Sequence, residues 1–400
     1  MNDRKLAWPF SFHFLIFAGM AAYRPFMVLY FQSLSFTGAQ IGLLTGLAPL
    51  ITLVSLPLVT TFADRTNRHK LIMGLSLVIM ILGLIFFPSL TTFLPLFGLT
   101  VLTTVSFAPL MSFASSASMF MLAERKELFG RIRLGGTIGY SFAAILAGTL
   151  VQNYGLTFAF WAAAGLFLIA LIINQKLEHS EEVSGTPVAK GRASELLKKP
   201  HFLLFLAISF SGGISFATIS TYLFPYMKEL GAPESMMGLA LTIGTIAEVP
   251  ILFFAGRFIR RYSAYTLLIF SLVMTSLRFL LLAIAPTPIL VLFVQLLNGF
   301  NYPLLMVAGV TYADDHAPQG FRATAQGLFN ASMGGVGAAI GGFMGGILFE
   351  SMGAKGMYLS FSIFVIVVLL VVNLVRRILP PETETLHLSQ STKVIQGAKE

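Results

Sequence analysis

Residues 25–63, PFMVLYFQSLSFTGAQIGLLTGLAPLITLVSLPLVTTFA, contain no Asp, Glu, Lys, Arg or His. Crossing a hydrocarbon core of roughly 30 Å takes about 20 helical residues, so the apolar chain here is too long for one crossing. The run Ser33-Leu34-Ser35-Phe36-Thr37-Gly38 inside it has the small and polar residues of a turn and reads as the tip of a helical hairpin. Three more stretches free of Asp, Glu, Lys and Arg follow the same plan, between Lys70 and Glu124, Arg133 and Lys176, and Arg278 and Asp314. Their breaks are Pro88-Ser89-Leu90-Thr91-Thr92, Gln152-Asn153-Tyr154-Gly155 and Pro286-Thr287-Pro288. Single spans fit residues 200–227, 237–255, 323–349 and 356–375, which brings the expected total to twelve.

Composition points the same way. The 400 residues are 56% hydrophobic and 11% charged, whereas soluble domains carry about 25% charged residues. The fold class expected is therefore an all-α membrane protein, with twelve transmembrane helices in two six-helix pseudo-repeats. Of the 26 Lys and Arg, Arg24 and Arg278 fall inside spans, and only Lys228 and Lys355 would lie opposite the side that holds Met1. Lys and Arg concentrate in cytoplasmic loops, so both termini are expected in the cytoplasm, with the chain in the cytoplasmic (inner) membrane. The net charge of +9 then belongs to loops facing anionic lipid headgroups, and a nucleic-acid partner is not expected. The absence of Cys excludes disulfides and thiolate metal sites; neither a metal nor a cofactor is expected. Residues 6–31 are too long for a signal peptide and read as an uncleaved first helix.

Residues 176–199 mix Lys, Glu, Ser, Gly and Pro as a solvated linker does. They divide the chain into a first bundle (1–175) and a second (200–378), with a polar tail (379–400) expected to be disordered. The halves echo each other: Phe62-Ala63-Asp64-Arg65 after the second span matches Phe254-Ala255-Gly256-Arg257 after the eighth. Repeated halves of this kind hold a solute site near mid-membrane.

Asp64-Arg65-Thr66-Asn67-Arg68-His69-Lys70 resembles the signature of the major facilitator superfamily, with Thr60 and Asn67 where that pattern has glycine. The resemblance implies that Asp64, Arg65 and Arg68 gate the cytoplasmic side, with Asp64 reaching the start of the eleventh helix near Arg322 and Thr324. Ala22-Tyr23-Arg24-Pro25-Phe26, Phe129-Gly130-Arg131-Ile132-Arg133-Leu134, Ser276-Leu277-Arg278-Phe279 and Phe321-Arg322-Ala323-Thr324-Ala325-Gln326-Gly327-Leu328 are similar to the lactose-permease-like and phenylpropionate-permease-like branch. That likeness implies solute binding by Arg133 and a coupling role for Arg278. The chain departs from it where lactose-type members carry His and Glu on the tenth helix, having Asn298 and Asn301 instead.

A charge within the bilayer costs about 2.5–3.5 kcal/mol on insertion scales, which makes Arg24, Glu248 and Arg278 functional candidates. Glu248 is the acid well inside a span, and helical rise brings it and Arg278 towards one depth, within reach of an ion pair or a water bridge. The pair is read as the proton-coupling site, or as a static link between two helices. Tyr23, Asn298, Asn301 and Tyr302 are expected to line a polar cavity. Arg24 would attract an anionic solute there or snorkel to headgroups.

The function expected is secondary transport of a small organic solute (a sugar, an aromatic or other small carboxylate, or a nucleoside) by proton symport, carried out by a monomer of twelve spans. A proton-coupled exporter is the alternative within transport, and a transport-dead sensor the alternative outside it. An enzyme is not expected, since no His cluster, paired acids at mid-depth or activated nucleophile is present. A nucleotide-driven pump would need a phosphate-binding Gly-x-x-x-x-Gly-Lys-Ser/Thr loop, which the sequence lacks.

Overall fold

The computed structural model describes residues 6–123, 125–178, 193–318 and 320–379. The middle of the expected linker and nearly all of the expected tail lie outside them. Ten apolar helices long enough to span a membrane come first: α1 (Ala7–Ser33), α2 (Gly38–Thr66), α3 (His69–Ser89), α4 (Phe93–Leu122), α5 (Phe129–Tyr154), α6 (Thr157–Asn174), α7 (Pro200–Glu229), α8 (Glu234–Arg261), α9 (Ala264–Ile284) and α10 (Pro288–Asp315). The remaining helical segment, Arg322–Ile378, is too long for one crossing. Gly353 breaks it with φ 70° and ψ 175°, giving α11 (322–352) and α12 (354–378) and the expected twelve. Left-handed backbone costs glycine nothing, and the break lets the chain reverse within one residue.

The helix ends follow local chemistry. Thr37 caps α2 by accepting from the Gln40 backbone N–H, while the Gln40 side chain accepts from the Thr37 N–H. At the other end Asn67 takes φ 51°, which explains why it can stand where the superfamily signature has glycine: Asn tolerates this conformation better than other side chains. Large apolar side chains such as Phe253, Leu94 and Phe62 are exposed, as they must be where the surrounding medium is hydrocarbon.

With an even number of spans, the start of α1 and the end of α12 share one face, here called the terminal face. The halves α1–α6 and α7–α12 meet on the other, far face. There Gly42 lies so close to α11 that a Cβ would stand 2.5 Å from the Phe343 carbonyl oxygen, and a Cβ on Gly238 of α8 would stand 2.2 Å from the Ala144 oxygen of α5. Glycine lets these backbones touch. The Thr242 hydroxyl donates to the Ser141 carbonyl at 2.9 Å, and the Ser235 N–H donates to the Gln152 side chain at 3.3 Å. Phe26 of α1 meets Phe224 of α7 edge to face at 4.9 Å. These hydrogen bonds and this ring contact between the halves lie between the far face and mid-depth. Towards the terminal face, α2 leaves Val54, Leu58 and Phe62 exposed.

Candidate functional site

A cavity of about 310 Å³ lies between the halves, within the range of roughly 300–1,000 Å³ typical of small-molecule sites. The first half lines it with Phe17, Met20, Thr137 and Tyr140; every other lining residue comes from α7–α10, including Glu248, Arg278, Gln295, Asn298, Asn301 and Tyr302.

The backbone of α10 explains how these groups converge. Gln295–Leu297 form a 3₁₀ turn inside the span, and in a 3₁₀ turn side chains three residues apart eclipse each other. Gln295 and Asn298 therefore point the same way, towards α9. The buried Arg278 guanidinium donates to both, through Nη2 to the Gln295 Oε1 at 2.6 Å and through Nη1 to the Asn298 Oδ1. Gly299 then brings α10 against α8, where a Cβ would stand 2.2 Å from the Ala247 oxygen. That close approach lets the Asn298 Nδ2 donate to the Glu248 carboxylate at 2.6 Å and to the Gly244 carbonyl at 3.2 Å.

The ion pair or water bridge expected between Glu248 and Arg278 is thus replaced by an amide bridge. Asn298 offers its oxygen to the cation and its nitrogen to the anion, so one neutral side chain serves both charges. Sequence spacing supplied the depth of the two charges, but the intervening amide depends on the 3₁₀ turn and the glycine contact.

Tyr302 stacks on Phe216 of α7 with ring centroids 4.1 Å apart, forming an aromatic wall beside these polar groups. Asn301, one turn from Asn298, also lines the cavity. Of the other expected binding residues, Tyr23 packs edge to face on Phe167 at 6.5 Å. Arg24 is exposed and directs Nη1 at the Met20 sulfur, 3.7 Å away. Arg133 is exposed on α5. None of these three lines the cavity. Tyr23 closes the regular part of α1 and Arg24 opens the 3₁₀ turn Arg24–Phe26, and a residue motif alone does not say which way the side chains at such a junction point. The sequence reading missed Tyr140, Thr137 and Phe216. Tyr140 had a usable signal, since it follows Gly139, where a Cβ would stand 2.2 Å from the Phe14 carbonyl oxygen.

Near the terminal face, Asp64 binds the His69 Nε2 at 2.8 Å, and His69 meets the Phe113 ring edge to face. Arg322 lies 3.4 Å from Asp314, while Arg65 and Arg68 are exposed. The expected contact between Asp64 and the start of α11 is not among those described. Asp64 thus pairs with His69 and Arg322 with Asp314, each inside its own half.

Two six-helix repeats enclosing a mid-depth cavity, in whose largely apolar wall a few polar groups converge, define a membrane transporter of small solutes, not an enzyme. The chain belongs to the MFS_1 like family, whose model matches residues 8–360, and so to the major facilitator transporters. It is 28% identical over 378 residues to a maltose permease of Geobacillus stearothermophilus, covering 94% of this chain and 95% of that one. Nucleoside permease NupG of Escherichia coli is 23% identical over 82% of this chain and 83% of its own. The crystal structure of nucleoside transporter NupG (D323A mutant) superposes with a TM-score of 0.84 at 20% identity, covering 92% of this chain and 99% of that one; this likeness shows the fold. The narrower lactose and phenylpropionate branch does not appear in these matches.

Proposed function

We propose that the protein imports a neutral, hydroxyl-bearing solute of sugar or nucleoside size together with a proton, by alternating access of one cavity. The observation that carries this reading is the chain of contacts from Glu248 through Asn298 to Arg278 in the cavity wall. A proton on Glu248 cancels one of two charges balanced through a single amide. The balance therefore changes at the point where solute binds, as coupling requires. With both charges engaged by amides, little fixed charge remains to hold an ionic solute, and the aromatic wall of Phe216 and Tyr302 suits the apolar face of a sugar or base. The likeness to maltose and nucleoside permeases supports the same class. Purified protein in proteoliposomes with an inside-alkaline proton gradient is expected to accumulate a labelled sugar or nucleoside above its external concentration. Accumulation indifferent to that gradient would reject symport.

The orientation we propose puts the terminal face in the cytoplasm, because Arg65, Arg68, Lys70, Arg257, Arg260 and Arg261 flank its loops. The structure then corresponds to a carrier open inwards. We assign Asp64, Arg65, Arg68 and Arg322 to the latch of the opposite state, in which Asp64 leaves His69 for the start of α11. A carboxylate there gains about 0.3–1 kcal/mol from the helix dipole, enough to bias an equilibrium without freezing it. Asp64→Asn should therefore raise labelling of a cavity cysteine from the cytoplasmic side and slow transport a few-fold. Unchanged labelling and rate would remove the latch role, and labelling of a cysteine at position 178 by an impermeant reagent in intact cells would reverse the orientation.

A further inference from the structure

Asn301 sits on the cavity wall and is only 6% exposed, yet neither its Nδ2 nor its Oδ1 has a hydrogen-bond partner. Its backbone is fully accounted for, since the Ser271 hydroxyl donates to its carbonyl at 2.7 Å. A buried amide with both ends unpaired loses the solvation of two groups and gains nothing in return. Structural amides in this wall behave differently: Gln295 and Asn298 each both donate and accept. Asn301 is therefore built for a partner that the folded chain does not contain. Bulk water reaches neither atom, so that partner must come through the cavity, and a rotation about the soft χ2 of Asn turns the amide towards it.

The partner's chemistry follows from the amide and its neighbours. Nδ2 gives a hydrogen and Oδ1 takes one, which is matched by a group that both accepts and donates. Glu248, half-buried, uses one carboxylate oxygen for Asn298 and has a second that can accept from a hydroxyl. Tyr302, adjacent to Asn301, closes the third side with its ring stacked on Phe216. We propose that Asn301 is the residue that selects hydroxyl-bearing rings, exchanging a pair of hydrogen bonds with a ring hydroxyl of the solute. This rests on the reading of the protein as a carrier of neutral solutes. A sugar ring and the ribose of a nucleoside present the same chemistry to Asn301.

The test compares wild type with Asn301→Leu and Asn301→Ser, measuring transport and melting temperature. The probes are maltose, glucose, uridine and adenosine, together with 2-deoxyglucose and 2′- and 3′-deoxynucleosides. For a transported parent compound, Asn301→Leu should raise KM about tenfold or more with kcat nearly kept, and should discriminate less against one of its deoxy analogues. Asn301→Ser, which retains one donor and acceptor, should fall between. The melting temperature without solute should hold or rise in the Leu variant, because an unpaired amide is replaced by an apolar group of similar size. A merely structural amide predicts the opposite: a lower melting temperature with KM and discrimination unchanged, a result that would overturn the proposal. Should Asn301→Leu not fold, an unchanged KM and deoxy discrimination in Asn301→Ser would overturn it equally. If wild type transports none of the probes, the carrier reading for hydroxylated solutes falls and the assignment of Asn301 falls with it.

Discussion

Glu248→Gln is expected to abolish uphill accumulation in proteoliposomes while leaving counterflow exchange of labelled for unlabelled solute largely intact. Glutamine keeps the shape of the side chain and an oxygen to accept from the Asn298 Nδ2, so the contact at 2.6 Å can persist. What is lost is the group that takes up and releases the proton. Exchange needs the loaded carrier to reorient without net proton movement; accumulation needs the carrier to release its proton inside and return empty. The two assays should therefore separate, with accumulation falling to the equilibrium level. If a well-folded Glu248→Gln protein still accumulates solute against its gradient, Glu248 is not the coupling group, and the amide bridge is a static tie between α8, α9 and α10.

The second large effect should come from the far-face seam. Gly42→Val and Gly238→Val would each place side-chain atoms inside the 2.5 Å and 2.2 Å approaches to opposing backbone oxygens. Backbone cannot move aside as a side chain can, so the helices must part. Overpacking of this kind costs about 1–3 kcal/mol, which corresponds to a shift of roughly fivefold to over a hundredfold in the balance between closed and open far faces. Each variant should cut uptake about fivefold or more, and a cysteine placed at Ser220 in the cavity should become reactive from the far side. Normal uptake with no new reactivity would mean that the seam does not gate access.

The spans were legible because charge is excluded from hydrocarbon at a cost the sequence cannot hide. The gaps around residues 25–63 marked helices, and their Ser, Gly and Pro breaks marked turns. The same cost exposed Glu248 and Arg278 as a pair worth examining. Direction around the helix axis was less legible. Tyr23 and Arg24 are placed at the solute site by a sequence motif that carries no helical phase, and neither lines the cavity, whereas Tyr140 does. The bridge at Asn298 needs the 3₁₀ turn of α10 and the close contact at Gly299 together, and neither is visible in spacing alone. The residues proposed for the latch were readable from a motif, but a motif does not say which state the molecule occupies; here Asp64 rests on His69.

The uneven ownership of the cavity has a consequence for how the machine divides its labour. Nearly all the polar groups that can grip a solute belong to α7–α10, while the first half offers Phe17, Met20, Thr137 and Tyr140. Under the alternating access proposed above, the cargo would be a passenger of the second half, and the first half a door that swings past it. Such a division decouples two kinds of evolutionary change. Substitutions in the grip can retune what is carried without disturbing the hinge, and substitutions in the door can retune speed without changing the cargo.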